Sequence, residues 1–319
     1  MLRVAIFNDT CGAHFGCDAV MAAIGALATR YDGEIIYSHP VGKPWQEDSL
    51  ALEAIRRSDV VIVNGEGSMH HSSRKARSLS QLAVHCAEIA KPCYLLNATL
   101  QSNDTEIVEA LRTFRRIWVR ESASAQELRN SRIEASICPD LSLFHEFEVT
   151  GPQVPRPLII DSVQRRRHPE LARVADAHGA RLVTMKHNEK GGLAFPLKGL
   201  FRQRIAVESG PVEPIPEVRT FHQFAALMGR HQCIITGRFH GFCFGLKMAL
   251  PMLVLPSNTW KCEAMLTDVR LNRNRLVESN ITSLPPPYTS EEFENIDSYL
   301  ASARQQIGRM FQAILVDRE

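Results

Sequence analysis

The chain has 319 residues, 45% of them apolar, and a formal net charge of +2. That length suits two α/β domains rather than one, and the near-neutral balance excludes a strongly basic nucleic-acid binder. The eight cysteines stand singly with no CxxC, which excludes a zinc knuckle or a dithiol redox pair and suits reduced, buried thiols.

The start, MLRVAIFNDT, turns polar after seven residues, too short for a signal-peptide core, and no later stretch is long enough to span a bilayer. A cytoplasmic protein is expected. Arg3 to Phe7 predicts the first strand, and a helix of small residues is predicted from Ala19 to Thr29. Between them lies a Gly-bearing loop, residues 8–18. Its GAHFGCD lacks the spacing of a dinucleotide fingerprint, so no nicotinamide cofactor is expected. Asp18 either caps the helix or serves as a functional carboxylate, with His14 nearby.

Glu34 to Tyr37 predicts a second strand and Ser49 to Arg57 a helix. The apolar run DVVIV, residues 59–63, opens into Asn64-Gly65-Glu66-Gly67-Ser68-Met69-His70. Glycine-rich backbone with Glu66, Ser68 and His70 marks a candidate ligand loop, against the plainer reading of a turn into a helix from Leu79 to Ile89. PCYLLN, residues 92–97, is the next strand, and Thr105 to Phe114 the next helix. Arg120 and Glu121 follow a strand at Ile117, where Arg120 either binds a ligand anion or pairs with Glu121. Ser122 or Ser124 is the expected cap of the helix after them. Ile133 to Ile137 is a further strand, with Asp140 at its rim. Each joint places its charge after the strand, which predicts a parallel sheet with one functional edge.

GPQVPRP, within residues 148–157, reads as a linker, so the expected division is 1–150 and 151–319. The strand pattern restarts at Leu158 to Asp161, followed by the basic run Arg165-Arg166-Arg167. Residues 187–211 carry Lys190, Lys198, Arg202 and Arg204, either a plain loop or a surface that covers an acidic substrate or meets an anionic lipid carrier, a peripheral membrane contact. A short edge strand is expected at Val212 to Ile215.

The richest stretch runs from His231 to Met265: strand Cys233 to Thr236, then Gly237-Arg238-Phe239-His240-Gly241, a helix to Ala249, strand Pro251 to Leu255, and Asn258-Thr259-Trp260-Lys261 before another helix. This is a βαβ unit with Arg238 and His240 just past a strand. Arginine forks onto carboxylate or phosphate, and histidine moves protons near neutrality. The plainer reading is a surface ion pair beside a backbone-bonded histidine. Asn258 and Lys261 would join the pair at the same edge. Ser290 to Ile314 predicts a long amphipathic helix with Ile296, Leu300, Ile307, Met310 and Ile314 on its apolar side, packing across a lobe.

Together these joints resemble the polysaccharide pyruvyl transferase superfamily: Gly12 to Ala19, the GEGS of residues 65–68, WVRESAS at 118–124, PDLS at 139–142 and TGRFHGFCFGLKMALPMLVLPSNTWK at 236–261. The resemblance implies a GT-B-like fold, two Rossmann-like lobes with parallel sheets and a central cleft, the first lobe on the acceptor side and the second on the donor side. It implies transfer of pyruvate from phosphoenolpyruvate onto a pair of sugar hydroxyls in glycan biosynthesis, with no cofactor and no metal. The acceptor would be a glycan or lipid-linked sugar, at the inner face of the membrane. In that reading His240, Asp18 and Glu66 are catalytic, while Arg238, Arg120, Lys261, His14, Ser68, His70 and Asn258 bind substrate. Two departures, Glu66 within GEGS and Cys17 before Asp18, leave room for another acceptor or for a glycosyltransferase using a nucleotide sugar. An inactive glycan-binding or scaffold relative is the alternative of another class, and the presence of Arg238 and His240 counts against it.

Overall fold

The computed structural model describes residues 1–187, 215 and 217–317. By internal packing the chain forms two compact units. The first comprises Met1–Cys11, Ala19–His145 and Tyr299–Glu319, and the second Gly12–Asp18 and Glu146–Ser298.

In the first unit, strands β1 (Leu2–Asp9), β2 (Gly33–Pro40), β3 (Val60–Asn64), β4 (Cys93–Ala98), β5 (Arg116–Val119) and β6 (Ser136–Ile137) form one parallel sheet, in the order β2-β1-β3-β4-β5-β6. Their apolar residues alternate between two cores, as a period of two requires of a sheet covered on both faces. Ala5, Phe7, Val61 and Val63 pack with helices α2 (Ser49–Arg57), α3 (Arg74–Glu88), α4 (Thr105–Leu111) and α5 (Ser122–Asn130). Val4, Ile6, Val60 and Ile62 pack with α1 (Phe15–Arg30) and the end of the last helix, through Ile24, Leu27, Ile307 and Phe311. Each such fully buried aliphatic side chain stabilises the fold by about 1.5–3 kcal/mol before entropy is counted.

The second unit has β7 (Val154–Ser162), β8 (Arg181–Val183), β9 (His231–Gly237) and β10 (Met252–Val254), again all parallel, in the order β10-β9-β7-β8. Helix α6 (His168–Ala177) covers one face through Leu171 and Ala175 against Ile159, Ile235 and Leu253. The buried faces of α7 (Phe221–Gly229) and α8 (Phe239–Lys247) include Phe224, Met228, Phe242 and Leu246. Helix α8 lies close on the sheet because Gly241 and Gly245 face it: a β-carbon on the first would overlap the Thr236 hydroxyl, and one on the second would come within 2.6 Å of Ile234. Helix α9 (Lys261–Val269) follows β10, and α10 (Ser290–Gln312) ends in a π-turn. Thr289 and Glu292 form a reciprocal capping box at the start of α10. Glu292 also receives a fork from the buried Arg275, at 2.6 and 2.7 Å.

The α/β class with two parallel sheets is as the sequence led us to expect. Element ends differ where side chains outside the usual capping set intervene. Helix α1 starts at Phe15 rather than Ala19, because the His14 imidazole, not Asp18, accepts the first free backbone N–H groups, from Gly16 at 3.1 Å and Cys17 at 3.2 Å. Helix α3 begins at Arg74, five residues early, capped by Ser73. Neither Ser122 nor Ser124 caps α5, whose N-cap is Glu121 without a side-chain bond. Strand β7 begins inside GPQVPRP, with Val154 opposite His231, and its register shifts before Pro157. Strand β6 keeps only two residues of the five expected. The basic stretch after His187 and the edge strand at 212–214 lie outside the described residues. Among the described residues no helix is long and apolar enough to cross a membrane.

Candidate active site

Each sheet reverses its winding once, between β1 and β3 in the first unit and between β7 and β9 in the second. Open α/β sheets bind ligands outside the carboxyl ends of the strands at these points. In both units, buried polar side chains bridge the reversal.

In the second unit the bridge is Arg238 on Asp161. Asp161 ends the apolar run of β7, and Arg238 immediately follows β9. The guanidinium grips the carboxylate with two nitrogens, Nε to Oδ1 at 2.8 Å and Nη2 to Oδ2. Asp161 is itself fixed by the Thr184 hydroxyl at 3.0 Å and the Met185 amide at 3.3 Å. Both residues are buried. Such a pair is strong only because its geometry is good and its remaining lone pairs are satisfied. Asp161 escaped the sequence reading, although it obeys the same pattern of a charge after an apolar run.

Two positions on, His240 sits in the first turn of α8, which has Arg238 at its N-cap and no side-chain cap. Its ring centroid lies 5.2 Å from that of His14 and 5.6 Å from that of Phe239. It packs on Gly16, where any β-carbon would overlap the imidazole. Lys261 opens α9, another helix without a side-chain cap. Its ammonium is buried, donates to Asn258 Oδ1 at 2.9 Å and lies 5.9 Å from the centre of the Phe239 ring. The structure thus gathers Arg238, His240, Lys261, Asn258 and His14 on the carboxyl edge of one sheet.

His14 reports the field there. Its Nδ1 accepts two backbone N–H groups, so the neutral ring carries its proton on Nε2, which faces Cys17 Sγ at 3.3 Å. Burial, then His240, Arg238 and Lys261, push its pKa well below the usual histidine value, against the opposing pull of Asp161. Beside burial, three cationic or basic side chains and one opposing carboxylate act on this ring, a set of groups that suits an anion. Asp18 uses both carboxylate oxygens: Oδ1 accepts the Gly12 amide at 2.8 Å, and Oδ2 meets His187 Nε2 at 2.5 Å. His187 in turn packs edge-on to Phe15, 4.5 Å between centroids.

In the first unit the bridge runs between Asn8 to Thr10 after β1 and Asn64 to Ser68 after β3. Thr10 donates to Glu66 Oε2 at 2.8 Å, Asn8 to the Asn64 carbonyl at 2.5 Å and to Ser68 at 3.1 Å. Asn8 has φ +64, a left-handed conformation asparagine tolerates at a strand end. Glu66 and Ser68 are buried in this network. His70 stands beside it on the loop, its Nδ1 2.9 Å from that of His71. Arg120 is buried and bonds Asp140 at 2.9 Å and Thr99 at 2.8 Å. Burial opposes its charge, but Asp140, Glu121 and Glu66 outweigh it and raise its pKa. Arg120 forms a salt bridge with Asp140, and the carboxylate of the adjacent Glu121 accepts from Thr99 at 3.2 Å.

The sequence model of the polysaccharide pyruvyl transferases matches residues 14–259, from the His14 cap through Arg238 and His240 to the loop before Lys261. The chain belongs to the polysaccharide pyruvyl transferase family. No curated protein matched its sequence. Among solved structures, the family fold seen here is similar to the UDP-GlcNAc 2-epimerase of Methanocaldococcus jannaschii in complex with UDP-GlcNAc and UDP. That match has a TM-score of 0.58 and 12% identity, over 98% of this chain and 99% of that one. A putative UDP-N-acetylglucosamine 2-epimerase from Listeria monocytogenes follows at 0.53 and 12%, over 98% and 91%. A functionally uncharacterized protein of Klebsiella pneumoniae gives 0.52 and 10%, over 88% and 93%. At such identities the likeness concerns the fold, which is of GT-B type, and the family membership makes this chain a transferase.

Proposed function

We propose that this pyruvyl transferase family member moves the pyruvyl group of phosphoenolpyruvate onto two hydroxyls of one sugar, forming a cyclic ketal. The observation that carries the reading is the buried Arg238–Asp161 fork beside His240, with the buried Lys261 at the same sheet edge. Phosphoenolpyruvate carries a carboxylate and a phosphate, and the second unit offers two cations and two uncapped helix N-termini for them. Arg238, held rigid by Asp161, takes one anionic group. Lys261, steadied by Asn258, takes the other.

His240 is the proton carrier. Its proton goes to the methylene carbon, leaving C2 as an oxocarbenium-like centre. One sugar hydroxyl adds to C2 and gives up its proton. The C2–O bond to phosphate then breaks, and the second hydroxyl closes the ring as inorganic phosphate leaves. One proton enters the methyl group and two leave the hydroxyls, one of which restores His240 while the other departs on phosphate. Asp18, hydrogen-bonded to His187, is the carboxylate we assign to one of those hydroxyl protons. His14 caps α1 and orders the turn on which His240 rests. In the first unit Glu66, Ser68 and His70 belong to the acceptor side, and Arg120 holds the β5 joint in register through Asp140.

With a sugar diol as acceptor in D2O, this scheme predicts phosphate release with one deuterium in each ketal methyl group. His240→Ala should slow that release at least about 100-fold, the lower range for general acid catalysis. Consumption of a nucleotide sugar, with phosphoenolpyruvate untouched, would instead make the chain a glycosyltransferase. That second reading draws on the nucleotide sugar bound by the M. jannaschii epimerase.

A further inference from the structure

A cavity of 370 Å³ opens at the carboxyl edge of the first sheet, between the ends of β1 and β2 and the first turn of α3. Its apolar wall is Phe7, Pro44, Trp45 and Leu79. The wall is built in advance. The Trp45 indole donates to the Ser78 carbonyl at 2.9 Å, and His39 is held between the Tyr37 hydroxyl and the Lys43 carbonyl, both at 3.0 Å. Phe7, Trp45 and His39 are buried. Size and lining suit a small ring-bearing ligand.

The rim is charged in an unusual way. Helix α3 opens with Arg74-Lys75-Ala76-Arg77 and has no acidic residue in its first turn. Cations there oppose the helix dipole. Arg77 is compensated by Asp104 and Glu106. Arg74 and Lys75 are exposed, both line the cavity, and no carboxylate among the described residues pairs with either. A local rule broken without internal compensation is expected where a ligand supplies it. An anion at this point would meet two cations and the positive end of the helix together.

We infer that this cavity binds an anionic sugar, its ring on the Pro44 and Trp45 wall and its phosphate or carboxylate against Arg74 and Lys75. The inference rests on the pyruvyl-transfer reading only in calling that sugar the acceptor, a saccharide already bearing a negative group.

The test is direct titration of the full chain, without phosphoenolpyruvate, using glucose 1-phosphate, glucuronate, glucose and inorganic phosphate. Sugar phosphate or sugar acid should bind at least tenfold more tightly than glucose and than inorganic phosphate, and the affinity should fall with salt. Which of the two binds identifies the anionic group. The exposed double variant Arg74→Glu/Lys75→Glu should weaken that binding at least 30-fold with an unchanged melting profile, while Arg238→Ala should not alter it. Affinities for glucose 1-phosphate and glucuronate that both equal that for glucose, inorganic phosphate binding as tight as the tighter sugar anion, or an unaffected double variant would each overturn the assignment. Because phosphoenolpyruvate takes no part, failure of the donor reading leaves this result standing, and the reverse holds.

Discussion

The imidazole of His240 occupies space that only a glycine at position 16 leaves open. The early loop and the Arg238–His240 joint are distant in sequence, yet the second unit packs the first turn of α1 against the first turn of α8. Gly16→Ala should therefore displace the His240 ring without touching Arg238. A shift of about 1 Å in a reacting group costs on the order of 100-fold in rate. Steady-state kinetics should show that loss in kcat, with KM for the donor changed less than threefold.

The Arg238–Asp161 fork gives a second expectation. Asp161→Ala would leave a buried guanidinium without its counter-charge, a change that costs about 3–5 kcal/mol. Arg238→Lys keeps the charge but loses the fork, so it should cost less stability while weakening donor binding about tenfold or more. Urea denaturation and donor titration on the two variants separate these effects.

His14 should be seen by NMR to remain neutral, with its proton on Nε2, well below the usual histidine pKa of 6.5. The sign follows from its lowered pKa. As pH falls below about 6.5 the unfolded chain takes up the proton first, so folding stability declines from there. A bound dianion in the same field should raise the His14 pKa, and a titration that ignores the donor would remove the anion-binding role of this edge.

Glu292 sets a second acid limit. The Arg275 fork is the main cause that lowers its pKa to about 2, against an ordinary 4.5. Its stabilising effect is fully present above the ordinary value and is lost as pH falls through the window from about 4.5 to about 2. Glu292→Gln should lower stability at pH 7 and flatten the pH dependence inside that window.

Much of this arrangement is visible in the residues alone. Apolar runs such as DVVIV and CIIT announce buried parallel strands, and polar groups placed after them announce the functional edge. Arg238 and His240 stand out because both features meet there. Other parts depend on packing that no local pattern carries. An imidazole cap is outside the usual capping set, so α1 was expected to start at Ala19 rather than Phe15. Arg120 shows only its neighbour Glu121 in the sequence, while the sheet also brings Asp140 to it from the next joint. Asp161 looked like the end of a strand until the order β10-β9-β7-β8 set it opposite Arg238.

The central claim is that the Arg238 and His240 edge receives phosphoenolpyruvate. Calorimetric titration of phosphoenolpyruvate into the native chain, Arg238→Ala and His240→Ala tests it most directly. Saturable binding that weakens at least tenfold in Arg238→Ala and persists in His240→Ala is the predicted result. Absence of binding to the native chain while UDP-GlcNAc binds, or equal affinity in Arg238→Ala, would contradict it.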